Sequence, residues 1–241
     1  MFSEHIQREY IRNGIAPERT HRLPCHVPPA PERSLDVLRR GESPPSRIVF
    51  VGRMERLKGG HVLLDALPAV QQSLQRPLQV KFVGDGRLRD TWEEHARRVC
   101  PDPSLCRVEF TGWVGAAERT RLLSEADVLV VPSLWPEPFG LIGLEAAACG
   151  VPAAAFDVGG ISEWLHDGVT GHLASTDGLR AEHLAAAIGE CLRDRAAHDA
   201  LSKGALDMAS RHSMRKHVAA LLKVFETVSP ASHVDSGYPA A

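Results

Sequence analysis

The chain reads as an α/β protein, a parallel sheet flanked by helices on both faces, with a helical segment at its C-terminal end. Short apolar runs recur at residues 48–51, 78–83, 108–110, 128–131 and 153–156, and the stretches between them carry helical spacing. Where a half-exposed strand would alternate with polar residues, as 78–83 and 108–110 do, the runs at 48–51, 128–131 and 153–156 are apolar throughout. Strands of that kind are buried on both faces, and the intervening helices supply the crossovers that parallel strands need. Ligands of such sheets gather at the carboxyl edge of the strands.

Residues 1–46 form a distinct first piece. Ser3 suits the N-cap of a helix over 3–12, Ile6 and Tyr10 lie four apart on one face, and Asn13-Gly14 supplies a stop. The stretch 22–31 holds too many prolines for a helix or a central strand and reads as a linker. The βα alternation begins at Arg47. Strand 48–51 ends at Gly52, and a helix over 61–75 follows, with a bend expected at Pro68. Strand 78–83 leads into Gly84-Asp85-Gly86 and a helix reaching residue 99. Strand 108–110 closes at Thr111-Gly112-Trp113, and a short helix over 116–124 precedes strand 128–131.

Residues 141–149 form the next helix, with Gly150 as its stop and Pro152 beyond. Strand 153–156 is followed by Gly159-Gly160, a short helix through Trp164, and a sixth strand at 172–174. Helices are expected over 178–195, 196–210 and 213–228, then a frayed tail. The expected organisation is a terminal helix and linker (1–46), a sheet domain (47–210), a C-terminal helix (211–228) and a disordered tail (229–241).

Composition narrows the function. Lys and Arg total 28 against 30 Asp and Glu, a net charge of −2, so no general attraction to nucleic acid follows. Five cysteines, an odd number without a CxxC pair, read as reduced thiols of a cytoplasmic protein. The 12 histidines show no HExxH or comparable spacing, so no metal site is expected. No stretch reads as a signal peptide or a transmembrane segment, which still leaves room for peripheral contact with lipid-linked substrates.

The chemistry concentrates in the loop after strand 128–131. Glu137 precedes a helix start whose unpaired backbone N–H groups favour a phosphate or a polarised hydroxyl, and Gly140 lets a ligand approach the backbone closely. Glu145 lies about two turns further on. Two such acids can grip sugar hydroxyls. The plainer reading makes Glu137 a first-turn acid complementing the helix dipole and Glu145 a solvated face residue. The apolar neighbours Leu144, Ala146, Ala147 and Ala148 count against the second part.

Arg53 follows the first strand, and Lys58 stands before Gly59-Gly60 at a helix start, so both fall at the edge where Glu137 falls. A guanidinium and an ammonium there would neutralise a diphosphate, although basic loop residues are often merely solvated. Gly84-Asp85-Gly86 is a turn of the same edge, lining the site or only ending a strand. Trp113 reads as packing or as part of the site, and Glu163 as helix capping.

The string Glu137-Pro-Phe139-Gly140, with Glu145 eight residues on and Ala146-Ala-Ala148-Cys-Gly150-Val-Pro152 after it, resembles the donor-site motif of a large retaining glycosyltransferase family. Its members include sucrose synthase, sucrose-phosphate synthase and mannosyltransferases. The resemblance covers roughly residues 3–228. It implies the Rossmann-like C-terminal half of a GT-B fold, with a nucleoside diphosphate sugar as donor and no metal or other cofactor. It also implies roles: Glu137 on the transferred sugar; Phe139, Gly140 and Leu141 on sugar and phosphate through backbone; Glu145 on the ribose. Gly52, Arg53 and Lys58 would take the diphosphate, Gly84 and Asp85 would line the donor, and Val114 would meet the base. Arg53 and Lys58 match the family's basic pair with four residues between them, while Cys25-His26-Val27-Pro28 departs from the family's linker.

Complete members of that family carry another sheet domain first, with the acceptor pocket, a glycine-rich loop and a histidine, none of which has a counterpart in this sequence. Residues 212–225 fit the helix that crosses back to that domain, with Val218, Leu221, Leu222 and Phe225 as an apolar stripe. An exposed apolar patch and a protein partner, or a missing N-terminal acceptor domain, are therefore expected. The acceptor, whether glycan, lipid or small molecule, is left open. Two other readings stay open beside transfer: a nucleotide-sugar-binding module without catalysis, and a nucleotide-sugar 2-epimerase.

Overall fold

The computed structural model describes residues 1–27 and 45–228. Its centre is one sheet of six strands: β1 (Ser46–Val51), β2 (Leu78–Val83), β3 (Cys106–Gly112), β4 (Val128–Val131), β5 (Ala153–Phe156) and β6 (Gly171–Ala174). All pairings are parallel, in the order β3-β2-β1-β4-β5-β6. The chain winds outward from β1 to β3, then returns to lay β4 on the other side of β1. That reversal opens a crevice at the carboxyl ends of β1 and β4, where doubly wound sheets take their ligands.

The helices are α1 (Glu4–Arg12), α2 (Gly60–Leu74), α3 (Arg89–Val99), α4 (Ala116–Glu125), α5 (Leu141–Ala148), α6 (Ala181–Leu192), α7 (Arg195–Ser210) and α8 (Met214–Val228). They divide the strand side chains by parity. Ile48, Phe50, Val128 and Val130 pack toward α2, α3 and α6. Val49, Leu129 and Val131 pack toward α4, α5 and α7. Two buried faces explain why these strands lack polar alternation.

Three boundaries differ from the sequence reading. Strand β3 runs from Cys106 to Gly112, beyond 108–110, because Arg107 and Glu109 tolerate the ladder by pointing to solvent from an edge strand. The helix over 61–75 continues through Pro68 as α2, with Pro68 on its exposed face. The helix expected over 178–195 starts later, at Ala181, after a 3-10 turn at Asp177–Leu179. Asp194 then opens α7 as an N-cap, its carboxylate accepting from Ala197 N at 2.8 Å.

The first piece docks on the loops beside the crevice. Ser3 caps α1 by accepting from Ile6 N at 3.3 Å and donates to the Pro138 carbonyl. Glu163 accepts from Glu4 N at 2.6 Å, so its capping role is served on α1, 159 residues away in sequence. His217 Nδ1 lies 2.7 Å from Pro24 O and Val27 N donates to His212 O at 3.2 Å, which joins the linker to the start of α8. On α8, Val218, Leu222 and Phe225 stand exposed and Leu221 is half-covered. Linker residues 28–44 and the expected tail at 229–241 lie outside the described residues. Among the described residues no helix is long and apolar enough to cross a membrane.

Candidate active site

Because every strand is parallel, the loops after β1, β2, β3 and β4 emerge at one edge. Lys58 ends a 3-10 turn, Arg56–Lys58, directly ahead of Gly59. Gly59 has φ +69°, and a Cβ there would lie 1.7 Å from the Pro132 carbonyl oxygen. Only a residue without a side chain lets this turn pack against the end of β4. The contact is reinforced by Leu134 N donating to Leu57 O at 2.9 Å.

That packing decides the central contact of the site. Lys58 Nζ donates to Glu137 Oε1 at 2.6 Å, and Ser133 Oγ donates to the same oxygen at 2.5 Å. The Glu137 side chain is 9% exposed and that of Lys58 30%. Burying a carboxylate is costly unless it is paired and hydrogen-bonded in this way. Its backbone is fixed as well, since Glu137 O accepts from Gly160 N at 2.7 Å. Glu137 is thus a preset acid, aimed by three separate segments of chain.

Two residues on, Phe139 is buried, and its carbonyl accepts from Trp164 Nε1 at 2.7 Å. Gly140 then takes φ +86° as the N-cap of α5, where a Cβ would stand 3.2 Å from Ile161 Cδ1 and Trp164 Nε1. Leu141 begins the helix and is exposed. Gly143 N already donates to Gly140 O at 2.9 Å, but the first turn of α5 carries no acidic residue and no capping side chain to take up the N–H groups ahead of it. Lys58, Ser133, Glu137, Phe139 and Gly140 line a pocket of about 360 Å³, and Phe2 and Cys25 of the first piece complete its wall. Burial pushes the Cys25 thiol up to about 11, with Glu163 adding to the effect, so it stays protonated at neutral pH.

The other sequence candidates fall around this centre. Glu145 is half-buried one turn beyond the pocket-lining residues and receives Arg119 of α4 through Nε at 2.6 Å and Nη2 at 3.3 Å. Arg53 stays 72% exposed and pairs with Glu55 at 3.3 Å, apart from the Lys58–Glu137 contact. Gly52 and Gly84 sit at the ends of β1 and β2, tied by Gly52 N donating to Val83 O and Gly84 N to Gly112 O. Asp85 closes its own turn by accepting from Gly86 N at 2.7 Å, and its carbonyl accepts from Met54 N. Val114 packs partly buried against the α4–α5 side, and Trp113 beside it is 80% exposed, so Trp113 is not a packing residue.

Ser133 and Arg119 were not singled out from sequence. Ser133 had a signal, a hydroxyl two residues past a buried strand on the edge that carries Glu137. Arg119 had none, because its pairing with Glu145 depends on how α4 and α5 pack.

A family model for the glycosyl transferases group 1 matches residues 45–194, most of the chain. The chain belongs to this family. It is 32% identical over 218 residues to the D-inositol 3-phosphate glycosyltransferase of Corynebacterium jeikeium, covering 88% of this chain and 51% of that relative. The chain thus spans about half the length of that curated relative. Among solved structures, sucrose-phosphate synthase from Thermosynechococcus elongatus superposes with a TM-score of 0.80 at 26% identity, over 96% of this chain and 58% of that one. Anabaena HepE, solved in complex with UDP and glucose, gives 0.76 at 26% identity, over 95% and 61%. The family and the α/β sheet with flanking helices are those the motif predicted.

Proposed function

We propose that the chain is the donor half of a retaining glycosyltransferase, moving a sugar from a nucleoside diphosphate sugar to an acceptor hydroxyl. The observation that carries this reading is the Lys58–Glu137 contact at 2.6 Å beside the N-terminus of α5, at the reversal point of the sheet. Family membership and the UDP and glucose bound by HepE support it.

In this reading the bond between the anomeric carbon and the β-phosphate oxygen breaks, charge grows negative on the diphosphate and positive on the sugar ring. Lys58 and the N–H groups at the start of α5 oppose the first charge as a fixed cation and fixed dipoles, without a metal ion, and Arg53 joins them by exchanging Glu55 for the diphosphate. Glu137 holds the sugar hydroxyls, and its burial keeps it from swinging away. Glu145 takes the ribose, with Arg119 setting the orientation of its carboxylate. The acceptor domain, or a partner that supplies it, docks over the exposed stripe of α8.

Calorimetric titration with UDP, GDP and ADP, and with their glucose and mannose forms, tests the donor site. One nucleotide should bind, and Lys58→Ala and Glu145→Ala should each weaken it at least tenfold, the loss of a charge-assisted hydrogen bond. Folded protein that binds none of them overturns the proposal.

A further inference from the structure

We infer that Cys100 and Cys106 form a reversible dithiol–disulfide pair, a modification site remote from the Lys58–Glu137 pocket and separate from its chemistry. The two sulfurs lie 2.7 Å apart. Cys100 caps the C-terminal end of α3 and Cys106 is the first residue of β3. Between them Pro101-Asp-Pro-Ser-Leu105 folds into a tight turn. Asp102 accepts from Ser104 N at 2.9 Å and from Ser104 Oγ at 2.6 Å, and its carbonyl accepts from Leu105 N and Cys106 N. The turn is also fixed to the sheet, since Leu78 N donates to Leu105 O at 2.9 Å. The two thiols are therefore brought together by backbone that is already held, and they do not depend on a chance meeting of flexible side chains.

Access and reactivity agree with the geometry. Cys100, Pro101, Pro103 and Cys106 line an open surface pocket of about 750 Å³, large enough to admit a small disulfide. Cys100 is half-buried and Cys106 buried, which assigns attack to Cys100 and resolution to Cys106. Hydrogen bonding to Cys106 lowers the Cys100 thiol below its ordinary value, against the opposing effect of burial, and raises that of Cys106. The other cysteines, Cys25, Cys149 and Cys191, are buried, and burial pushes the Cys191 thiol up to about 12.

The co-reactant is a low-molecular-weight disulfide. The Cys100 thiolate attacks one of its sulfurs, forming a mixed disulfide and expelling one small thiolate. Cys106, losing its proton to solvent, then attacks Cys100 Sγ and expels the second. Two protein thiols are oxidised, and one small disulfide is reduced to two small thiols. The product fastens the end of α3 to the edge strand β3.

Trypsin cleaves after Arg98 and Arg107, so both cysteines leave in the single peptide 99–107. The full chain is incubated with oxidised glutathione, quenched in acid, alkylated in denaturant and analysed by mass. The expected result is a peptide lighter by two hydrogens, carrying no alkyl group and no glutathione, which dithiothreitol converts to the doubly alkylated form. In Cys106→Ser the same treatment should leave glutathione on Cys100. Wild-type peptide that stays doubly alkylated, or that ends with glutathione on either cysteine, overturns the inference. Retention of the native far-UV spectrum by the oxidised wild type establishes that the pair closes within the folded chain; loss of that spectrum overturns it also.

Discussion

Replacing Gly59 by alanine tests whether the Lys58 turn is placed by its contact with the end of β4. The substitution carries two costs. At φ +69° an L side chain meets its own carbonyl, worth about 1–2 kcal/mol. The new Cβ would also stand 1.7 Å from the Pro132 oxygen and 2.7 Å from its carbonyl carbon, both backbone atoms that cannot rotate away. Relieving such an overlap by moving backbone costs roughly 1–3 kcal/mol more. The sum is about 2–5 kcal/mol, or a fall in Tm of roughly 4–20 °C for a chain of this size. Gly168→Ala is the matched control, with φ +71° and nothing within 4 Å of the added Cβ, so that it bears only the first cost. Urea melts followed by circular dichroism compare the two variants, and nucleotide titration follows on whatever remains folded. Gly59→Ala should lose about twice the stability that Gly168→Ala loses, and should lose nucleotide affinity as well. Equal stability losses would refute the argument that this close approach positions Lys58.

Further tests address the charges. Lys58→Ala leaves the Glu137 carboxylate buried with Ser133 alone, and should cost about 1–3 kcal/mol after allowing for the partial exposure of Lys58. A double-mutant cycle with Glu137→Ala should return a coupling of similar size by urea melts. Arg119→Ala should leave the melt nearly unchanged, since the pair with Glu145 is partly solvated, yet weaken nucleotide binding several-fold by calorimetry because Glu145 loses its orientation. The pKa of His61 is lowered from 6.5, chiefly by burial, with Asp65 opposing and Arg56 and His95 reinforcing the shift. The unfolded chain therefore takes up that proton first, so His61 costs stability as pH falls below about 6.5, and none above it. His61→Gln should flatten the fall of Tm as pH drops below about 6.5.

The parts of the site that share a segment were legible in the sequence, and the parts that depend on packing between segments were less so. Glu137, Gly140 and Glu145 follow from one strand–loop–helix reading, and the structure puts α5 at Leu141–Ala148 where the small, leucine-rich run predicts it. Arg53 and Lys58 were placed on the right edge by following the strands. Their different fates were not legible: Gly59 draws Lys58 against Pro132, whereas Arg53 turns outward to Glu55. Arg119 was invisible for the same reason. The boundaries that moved did so where a neighbour decided them, as at β3, which is prolonged by pairing with β2 despite its charged side chains.

The cap that Glu163 places on α1 sets an order of events during synthesis. Nine residues are too few for a helix to persist alone in water. The ribosome, adding about 5–20 residues each second, delivers Glu163 roughly 8–30 s after Glu4. Through that interval Ser3 and Glu4 also lack Pro138 and Glu163, the two loop residues that hold the start of α1. The contact that ties α1 to the loop after β5 thus forms only once Glu163 has been made, and the pocket wall to which Phe2 belongs closes no earlier than the strand that precedes that loop.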